Sequence, residues 1–282
     1  MNRESMPSAE GYSIPQPTSP SLATTRDNQH KDPSTLRRGA ASLFHHVPPI
    51  HGRTRLVRLI HRALEHLAQR RSETTRSGVF FTEMRLGYRM LVDVRTETEF
   101  LAYYTGDYDS SRIRGYCRLF GRGWHVADVG AHIGFYSVPF AQRLGCLAGR
   151  VHCFEPVPAN VQRLRQNIEL NGVAESCAVY EVALSDHSGE KTLALREDFL
   201  KGGTTGNASV LIDDGLDENF PNIVVRSVRL DDYVQAGQLT RIDFIKADIE
   251  GHEYLFLEGA HQTIRHCRPV VCVELKDRKS VV

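Results

Sequence analysis

The sequence predicts an α/β fold in which a mostly parallel sheet carries helices on both faces. Short apolar segments alternate with segments of helical pattern through the middle of the chain: "WHVADVG", "FYSVPFAQRLG", "GRVHCFEP", "PANVQRLRQNIELNG" and "CAVYEVALSD". Strands that alternate with helices of this length are typical of βαβ units, whose strands run parallel. A chain of 282 residues that is 41% hydrophobic is also long enough to bury one sizeable core.

Composition and charge exclude several classes of protein. The formal net charge of +1 gives no overall attraction for nucleic acid. The six cysteines form no C-x-x-C pair and lie mostly in apolar segments, which is typical of buried thiols in a reducing compartment. No run approaches the roughly 20 apolar residues of a membrane span, and the N-terminus has no apolar signal core. We expect a cytoplasmic protein with no transmembrane segment and no nucleic-acid partner.

The N-terminal part divides into two predicted regions. Residues 1–50 hold seven of the twelve prolines among Ser, Thr and Asn, which predicts a disordered tail. Residues 51–77 are predicted to be a basic amphipathic helix and a linker. In "RTRLVRLIHRALEHLAQRR", apolar residues recur at helical spacing opposite Arg55, Arg58 and Arg62. This helix, at 53–71, is expected to contact its own domain or a partner; docking on an anionic membrane surface is the alternative.

The folded domain is predicted to span residues 78–276. It opens with "VFFTEMRLGYRMLVDV", which alternates like a hairpin turned at Gly87. The next segment, "DSSRIRGYCRLFGRGW", predicts a short helix begun by Asp109 or Ser110. Further on, residues 186–226 predict a hairpin with an extended loop over the binding edge.

The loop "ADVGAHIGFYS" joins the first core strand to the first core helix, where open parallel sheets bind ligands. A nicotinamide fingerprint that starts at Gly130 would need glycine at positions 132 and 135, where the chain has His132 and Phe135. This mismatch disfavours a nicotinamide oxidoreductase. Structural glycines at a tight turn are the alternative to any ligand role.

The same loop suits S-adenosyl-L-methionine, a cofactor with no pyrophosphate. Gly130 and Gly134 let the backbone pass close to a ligand, and Asp128 supplies negative charge for the methionine ammonium. Glu155 lies 25 residues beyond Gly130, at the end of the second strand, where a carboxylate can accept hydrogen bonds from both ribose hydroxyls.

The segment "RIDFIKADIEGHE" places unusual charge in a core strand. A period of two predicts that Phe244, Lys246, Asp248 and Glu250 share one face. Charges in a sheet core cost several kcal/mol unless they are paired, so we expect these groups to position an acceptor and remove its proton. The structural alternative is an ion pair of Lys246 together with a helix cap from Glu250 or Glu253.

Ordered motifs from about Gly87 to Leu275 resemble the FkbM-type methyltransferases of the class I S-adenosylmethionine-dependent fold. They are "DVGAHIGFYS", "FEPVPANVQRLRQNI", "ALSDHSG", "RLDDY", "IKADIEGHE" and "VVCVEL". The resemblance implies a Rossmann-like sheet and methyl transfer to a hydroxyl of a saccharide or natural product. It further implies the cofactor-binding residues Asp128, Gly130, His132, Gly134, Glu155, Leu184 and Ser185, with Leu184 and Ser185 beside the adenine.

The chain departs from the family pattern at two histidines. His132 stands where the family commonly has Asn; both tolerate left-handed backbone, so we expect a conformational role, with a catalytic role as the alternative. His252 stands where a small residue is usual, and it is expected either to face the acceptor or to lie on the surface.

The predicted chemistry uses Asp248 or Glu250 as the base, with Lys246 beside them. Two carboxylates can hold a divalent ion but do not require one, so no metal site is predicted. A non-catalytic binding module that keeps the fold is the alternative function.

The end of the chain departs from the expected fold. The family likeness stops at Leu275 or Lys276, so the strands that normally close such a sheet are expected to be missing. The closing "DRKSVV" is also what a common sequencing adapter encodes in frame. Residues 277–282 are therefore expected to be a non-native tail on a truncated chain.

Overall fold

The computed structural model describes residues 33–46, 53–70, 78–195, 208–210, 221–237 and 239–274. The helices of these ranges are α1 (Pro33–His46), α2 (Arg53–Arg70), α3 (Glu97–Thr105), α4 (Ser110–Leu119), α5 (Ser137–Gly145), α6 (Pro158–Leu170), α7 (Leu230–Gln235), α8 (Glu253–Gly259) and α9 (His261–Cys267). The strands are β1 (Val79–Glu83), β2 (Arg89–Asp93), β3 (His125–Val129), β4 (Arg150–Phe154), β5 (Cys177–Tyr180), β6 (Ala183–Leu184), β7 (Gly189–Leu195), β8 (Ala208–Val210), β9 (Asn222–Val228), β10 (Phe244–Ala247) and β11 (Val270–Val273).

The central sheet has the strand order β11-β10-β3-β4-β5, and every neighbouring pair is parallel. Phe140 of α5 and Leu164 of α6 are buried in one hydrophobic cluster with the sheet, and Phe256 of α8 is buried in a second cluster. Helices therefore cover both faces, as predicted. The chain builds β3, β4 and β5 outward and then returns to place β10 on the other side of β3, which makes a topological switch point.

The hairpin predictions hold. Strands β1 and β2 pair antiparallel around Gly87, whose φ of 83° suits a glycine turn. Side chains at the C-terminal end of α6 hydrogen-bond to the edge of β2. Leu91 N donates to Asn167 of α6 at 2.7 Å, and Arg89 N donates to Asn171, the residue that follows α6, at 2.8 Å. Strands β7 and β9 form the predicted antiparallel hairpin, in a sheet of order β6-β9-β7-β8. Residues 196–207 and 211–220 of its extended loop lie outside the described residues.

The predicted disordered tail is wrong for residues 33–46. This segment forms α1, which packs against α3 and buries Ala41 and Phe44. Pro33 opens the helix, where proline costs nothing because the first amide has no helical partner. Proline content was therefore not a reliable indicator of disorder in residues 33–46. Residues 1–32 lie outside the described part.

The predicted helix at 53–71 is present as α2. It buries Val57, His61 and Leu64 and packs against α1 and α3, whereas Leu56 and Leu59 are 50% and 62% exposed. The packed face therefore shares Leu64 with the predicted apolar stripe but leaves out Leu56 and Leu59, and the folded unit begins before residue 78. In the described ranges, no helix combines the length and apolar character that a membrane crossing needs.

Strand β11 lies at one end of the central sheet, and within the described residues no strand pairs with its outer edge. Residues 275–282, which include the expected non-native tail, lie outside the described residues.

Candidate active site

A cleft of about 600 Å³, including space open to solvent, lies at the carboxyl ends of β3, β4 and β10. This is the switch point of the sheet, where α/β folds bind ligands. The predicted site residues that line the cleft are Gly130, His132, Glu155, Leu184, Asp248 and Glu250. Other lining residues were not singled out from the sequence: Val129, Phe154, Pro156, Asn160, Val182, Ala183, Leu193 and Ile249.

The glycine loop is shaped by contacts with the rest of the chain. Gly130 has a φ of 76°, and a Cβ there would lie 2.1 Å from the Asp248 carbonyl oxygen, so glycine lets the two loops meet. Gly134 has a φ of 99° and faces Leu164 of α6, where a Cβ would approach to 2.8 Å. Gly134 does not line the cleft and packs against α6, so its place in the cofactor loop stays a prediction.

His132 has the left-handed backbone that the sequence predicted for it, with a φ of 50°. Its side chain lines the cleft, and burial lowers the pKa of the imidazole to about 3, so the ring is neutral. The buried Nε2 has no hydrogen-bond partner among the described residues. A neutral imidazole with an unmatched nitrogen is suited to meet a polar ligand group.

Glu155 follows β4 and is only 5% exposed. One carboxylate oxygen accepts from His132 N at 2.8 Å, and the other accepts from Val157 N and Asn160 Nδ2, both at 3.1 Å. Burial raises the pKa of Glu155, and these hydrogen bonds oppose that shift. Each carboxylate oxygen can accept more than one hydrogen bond, so Glu155 can anchor the loop and still receive ligand hydroxyls.

Asp128 and Lys246 form an ion pair in the core behind the cleft. Lys246 Nζ lies 3.3 Å from Asp128 Oδ1 and 4.0 Å from Asp248 Oδ2, and the Asp128 side chain is fully buried. The Ser137 hydroxyl at the start of α5 donates to Asp128 Oδ2 at 2.6 Å. Asp128 does not line the cleft. Asp128 holds Lys246 and helix α5 in this structure, and its charge near a ligand ammonium stays a prediction.

The predicted single face from Phe244 to Glu250 is wrong beyond Lys246. Strand β10 ends at Ala247, and Glu250 has a left-handed φ of 58°. Glu250 reaches the cleft through a turn and not through the strand. Glu253, the first residue of α8, accepts from Ile249 N at 3.1 Å and Gly251 N at 3.0 Å. These amides lie in the turn before the helix, and the N-cap residue His252 makes no side-chain cap hydrogen bond, so Glu253 fixes the turn and is not the predicted cap.

Ser185 and His252 form a buried pair beside Leu184. The Ser185 hydroxyl donates to Asp186 Oδ1 at 2.7 Å, so it accepts from His252 Nε2 at 2.9 Å. Burial lowers the pKa of His252 to about 4, which keeps it neutral. His252 lines the cleft and is not a surface residue, whereas Ser185 is buried and does not line the cleft. The predicted place of Ser185 beside an adenine stays a prediction.

Among the described residues, no group of three or more His, Cys, Asp or Glu side chains is arranged to hold a metal ion. The sequence analysis did not identify Asn160 as a residue of the site. Its position five residues after Glu155, at the start of a helix, could have indicated that its side chain reaches the Glu155 carboxylate.

Comparison with known proteins gives one family and several partial relatives. The sequence profile of the methyltransferase FkbM domain matches residues 128–281, which continues past the boundary at 276 expected from the sequence. The 2-O-methyltransferase NoeI of Sinorhizobium fredii (strain NBRC 101917 / NGR234) is 28% identical over 156 residues, or 51% of this chain and 60% of NoeI. The chain thus spans less than two thirds of that relative.

Two further likenesses are shorter or more distant. A tRNA wybutosine-synthesizing protein 2 homolog of Rattus norvegicus is 40% identical over 55 residues, 20% of this chain and 12% of its own length. The crystal structure of methyltransferase FkbM from Methylobacillus flagellatus KT has a TM-score of 0.38 and 18% identity, and covers 65% of this chain and 44% of that one. The FkbM profile matches more than half of the residues of this chain, and the chain therefore belongs to the FkbM methyltransferase family.

Proposed function

We propose that this chain transfers a methyl group from S-adenosyl-L-methionine to a hydroxyl oxygen, with a saccharide as the favoured acceptor. One observation carries the proposal: Glu155 and Asp248 follow the two strands that flank β3 and line one cleft around Gly130. Glu155 is suited to the ribose hydroxyls and Asp248 to the acceptor proton. The relative NoeI, by its name a 2-O-methyltransferase, supports a hydroxyl acceptor.

The lining of the cleft fits the proposed cofactor. Phe154, Val182, Leu184 and Leu193 offer apolar surface for a purine ring. The carboxylate of Glu155 has acceptor capacity for paired hydroxyls. Polar and apolar groups therefore lie in one cleft, as a nucleoside requires.

The charge of the cleft also fits a cationic ligand. Asp128 and Lys246 compensate each other behind the cleft, whereas Glu155, Asp248 and Glu250 line it. The lining thus carries several carboxylate groups, which favour a positively charged sulfonium and ammonium.

S-adenosyl-L-methionine, when bound, supplies a methyl group that its sulfonium already activates. The chain has to align an acceptor oxygen, at about 3 Å from the reacting carbon, and to take the hydroxyl proton. Asp248 is the proposed base, because its side chain is 23% exposed and lies at the end of β10. Its backbone is fixed by donation from Asp248 N to Val129 O at 3.1 Å, and Lys246 Nζ lies 4.0 Å from its carboxylate. Glu250 is the second candidate for the base.

Calorimetry with S-adenosylhomocysteine, followed by methyl transfer from labelled cofactor to a panel of glycosides, tests the proposal. We expect binding and label incorporation. Absence of S-adenosylhomocysteine binding, or binding of a nicotinamide dinucleotide in its place, would overturn it. Binding without turnover on any acceptor would favour the non-catalytic module.

A further inference from the structure

Helix α2 packs on the folded unit with one face and exposes another. The packed face buries Val57, His61 and Leu64 and contacts α1 and α3. The ring of His61 stacks on that of Phe100 in α3, with the two centroids 4.2 Å apart. These contacts fix the position of the helix without using its opposite side, which we call the outer face of α2.

The outer face of α2 consists of two adjacent rows of exposed side chains. Positions three or four residues apart lie on the same side of a helix. One row is apolar, and its exposed members are Leu56, Leu59 and Ala63. The adjacent row is basic, and its exposed members are Arg55, Arg58 and Arg62. The outer face therefore presents apolar and cationic groups side by side along one helix.

The two N-terminal helices carry an excess of positive charge. Helix α1 contains two arginines and no acid, and α2 contains five arginines and one glutamate, whereas the formal net charge of the whole chain is +1. The glutamate, Glu65, pairs with the buried Arg37 of α1. Glu97 of α3 pairs with Arg58 at 2.9 Å. Neither carboxylate pairs with the other two arginines of the outer face, so this face keeps a net positive charge.

The combination of the two rows discriminates between classes of partner. A second copy of the chain would bring two basic faces together, which repulsion between like charges opposes. A nucleic acid would match the arginines, but its phosphates have no use for an adjacent row of leucines. An anionic lipid surface matches both rows, because guanidinium groups attract the headgroups while apolar side chains enter the boundary with the acyl chains.

We propose that the outer face of α2 docks this protein on an anionic membrane surface. The helix lies in the plane of the surface, with Leu56 and Leu59 inserted between lipids and with Arg55 and Arg62 at the headgroups. Packing on the folded unit and docking on a membrane thus use different faces of the same helix. The inference goes beyond the proposed function and does not depend on it, because it uses no residue of the cleft.

The test is co-sedimentation of the full chain with lipid vesicles. One set of vesicles contains phosphatidylcholine alone, and the other contains phosphatidylcholine mixed with phosphatidylglycerol, which is anionic. The two outer-face variants are Leu56→Gln with Leu59→Gln, and Arg55→Gln with Arg62→Gln. Glutamine has nearly the helix propensity of leucine and arginine, so these variants change the surface and not the helix. Titration with sodium chloride tests the charge dependence on the wild-type chain itself.

The matched control is Arg118→Gln with Leu119→Gln. It removes one exposed arginine and one exposed leucine from α4, where Leu119 is 52% exposed. Urea unfolding of every variant, with an unchanged midpoint expected, separates lost binding from lost folding. A duplex oligonucleotide and poly-glutamate are titrated in parallel as the other two kinds of polyanion.

We expect the wild type to bind the mixed vesicles at least about tenfold more tightly than phosphatidylcholine alone, and added salt to weaken this binding. Each outer-face variant should bind the mixed vesicles at least about tenfold more weakly than the wild type, and the control should stay within about twofold.

The inference is overturned if the mixed vesicles are not bound, if both kinds of vesicle are bound equally, or if either outer-face variant binds like the wild type. Tighter binding of the oligonucleotide or of poly-glutamate than of the vesicles would assign the face to a nucleic acid or an acidic protein and would also overturn it. The same holds for self-association of the wild type that the leucine variant abolishes, since the outer face would then bind a second copy.

Discussion

Replacing Lys246 by methionine should destabilise the fold much more than an ordinary ion-pair deletion does. The substitution keeps most of the side-chain volume but removes the ammonium that faces Asp128 at 3.3 Å. The Asp128 side chain is fully buried, so water cannot take the place of the lost partner. Among the described residues, the Ser137 hydroxyl, which donates at 2.6 Å, is then the one remaining hydrogen-bond donor to the carboxylate.

The size of the loss follows from the distance and the burial. At 3.3 Å and an effective dielectric constant of about 20, the attraction between the two charges is about 5 kcal/mol. Removing one partner of a buried pair typically costs about 3–5 kcal/mol, because the remaining charge is left uncompensated. We expect the free energy of unfolding of Lys246→Met to fall by about 3–5 kcal/mol at pH 7.

Urea unfolding of four proteins measures this effect: wild type, Lys246→Met, Asp128→Asn with Lys246→Met, and Lys191→Met. The double variant should recover part of the loss, because it no longer buries a lone charge. Lys191 also pairs with a carboxylate, Asp186 at 3.5 Å, but that acid is 29% exposed, so the control should lose less than about 1 kcal/mol. Equal losses in Lys246→Met and Lys191→Met would refute the argument from burial.

Three further predictions concern binding, turnover and pH. Glu155→Gln keeps the shape but removes the charge from the proposed ribose contacts, so affinity for S-adenosylhomocysteine should fall by about 1.5–3 kcal/mol in calorimetry; unchanged affinity would reject this role. Asp248→Asn should keep cofactor binding while turnover falls about 10²–10⁴-fold, and normal turnover would move the base elsewhere. Burial lowers the pKa of both His132 and His152 to about 3. Their unfolded values near 6.5 mean that the unfolded state takes up protons first, so stability should be complete above about pH 6.5 and decrease as pH falls toward about 3. A free energy of unfolding that stays flat from pH 7 to pH 4 would contradict this.

Much of the fold could be predicted from the sequence because its local signals agree with one another. The apolar strand before Gly130 and the helix after Glu155 each carry a clear period, and their order along the chain leaves few parallel topologies. Gly87 marked the hairpin because only a turn explains glycine between two alternating segments. Helix α1 was missed because proline and serine at its start resemble both a disordered tail and a helix N-terminus.

The residues of the candidate site were predicted less completely than the fold, because the spacing of residues along the sequence does not show where a strand ends. The period of two correctly predicted that Lys246 lies in the core. The same period was extended to Glu250, although strand β10 ends at Ala247. The "EG" dipeptide was the available signal: Glu250 and Gly251 both have positive φ, with values of 58° and 95°. Spacing does not give burial either: an ion pair of Lys246 was expected as an alternative, but its partner, the fully buried Asp128, was not identified.

The pairing of β3 with β10 explains why the site and the core cannot be altered separately. In the parallel register Lys246 is the direct partner of Asp128, so their ion pair forms only when the two strands are correctly aligned. The same ammonium donates to the Gly130 carbonyl at 3.4 Å and lies 4.0 Å from Asp248, the proposed base. A change at Lys246 therefore acts on strand register, the glycine loop and the base together. Lost activity in such a variant is informative about catalysis only when it exceeds the loss that its measured unfolding free energy explains.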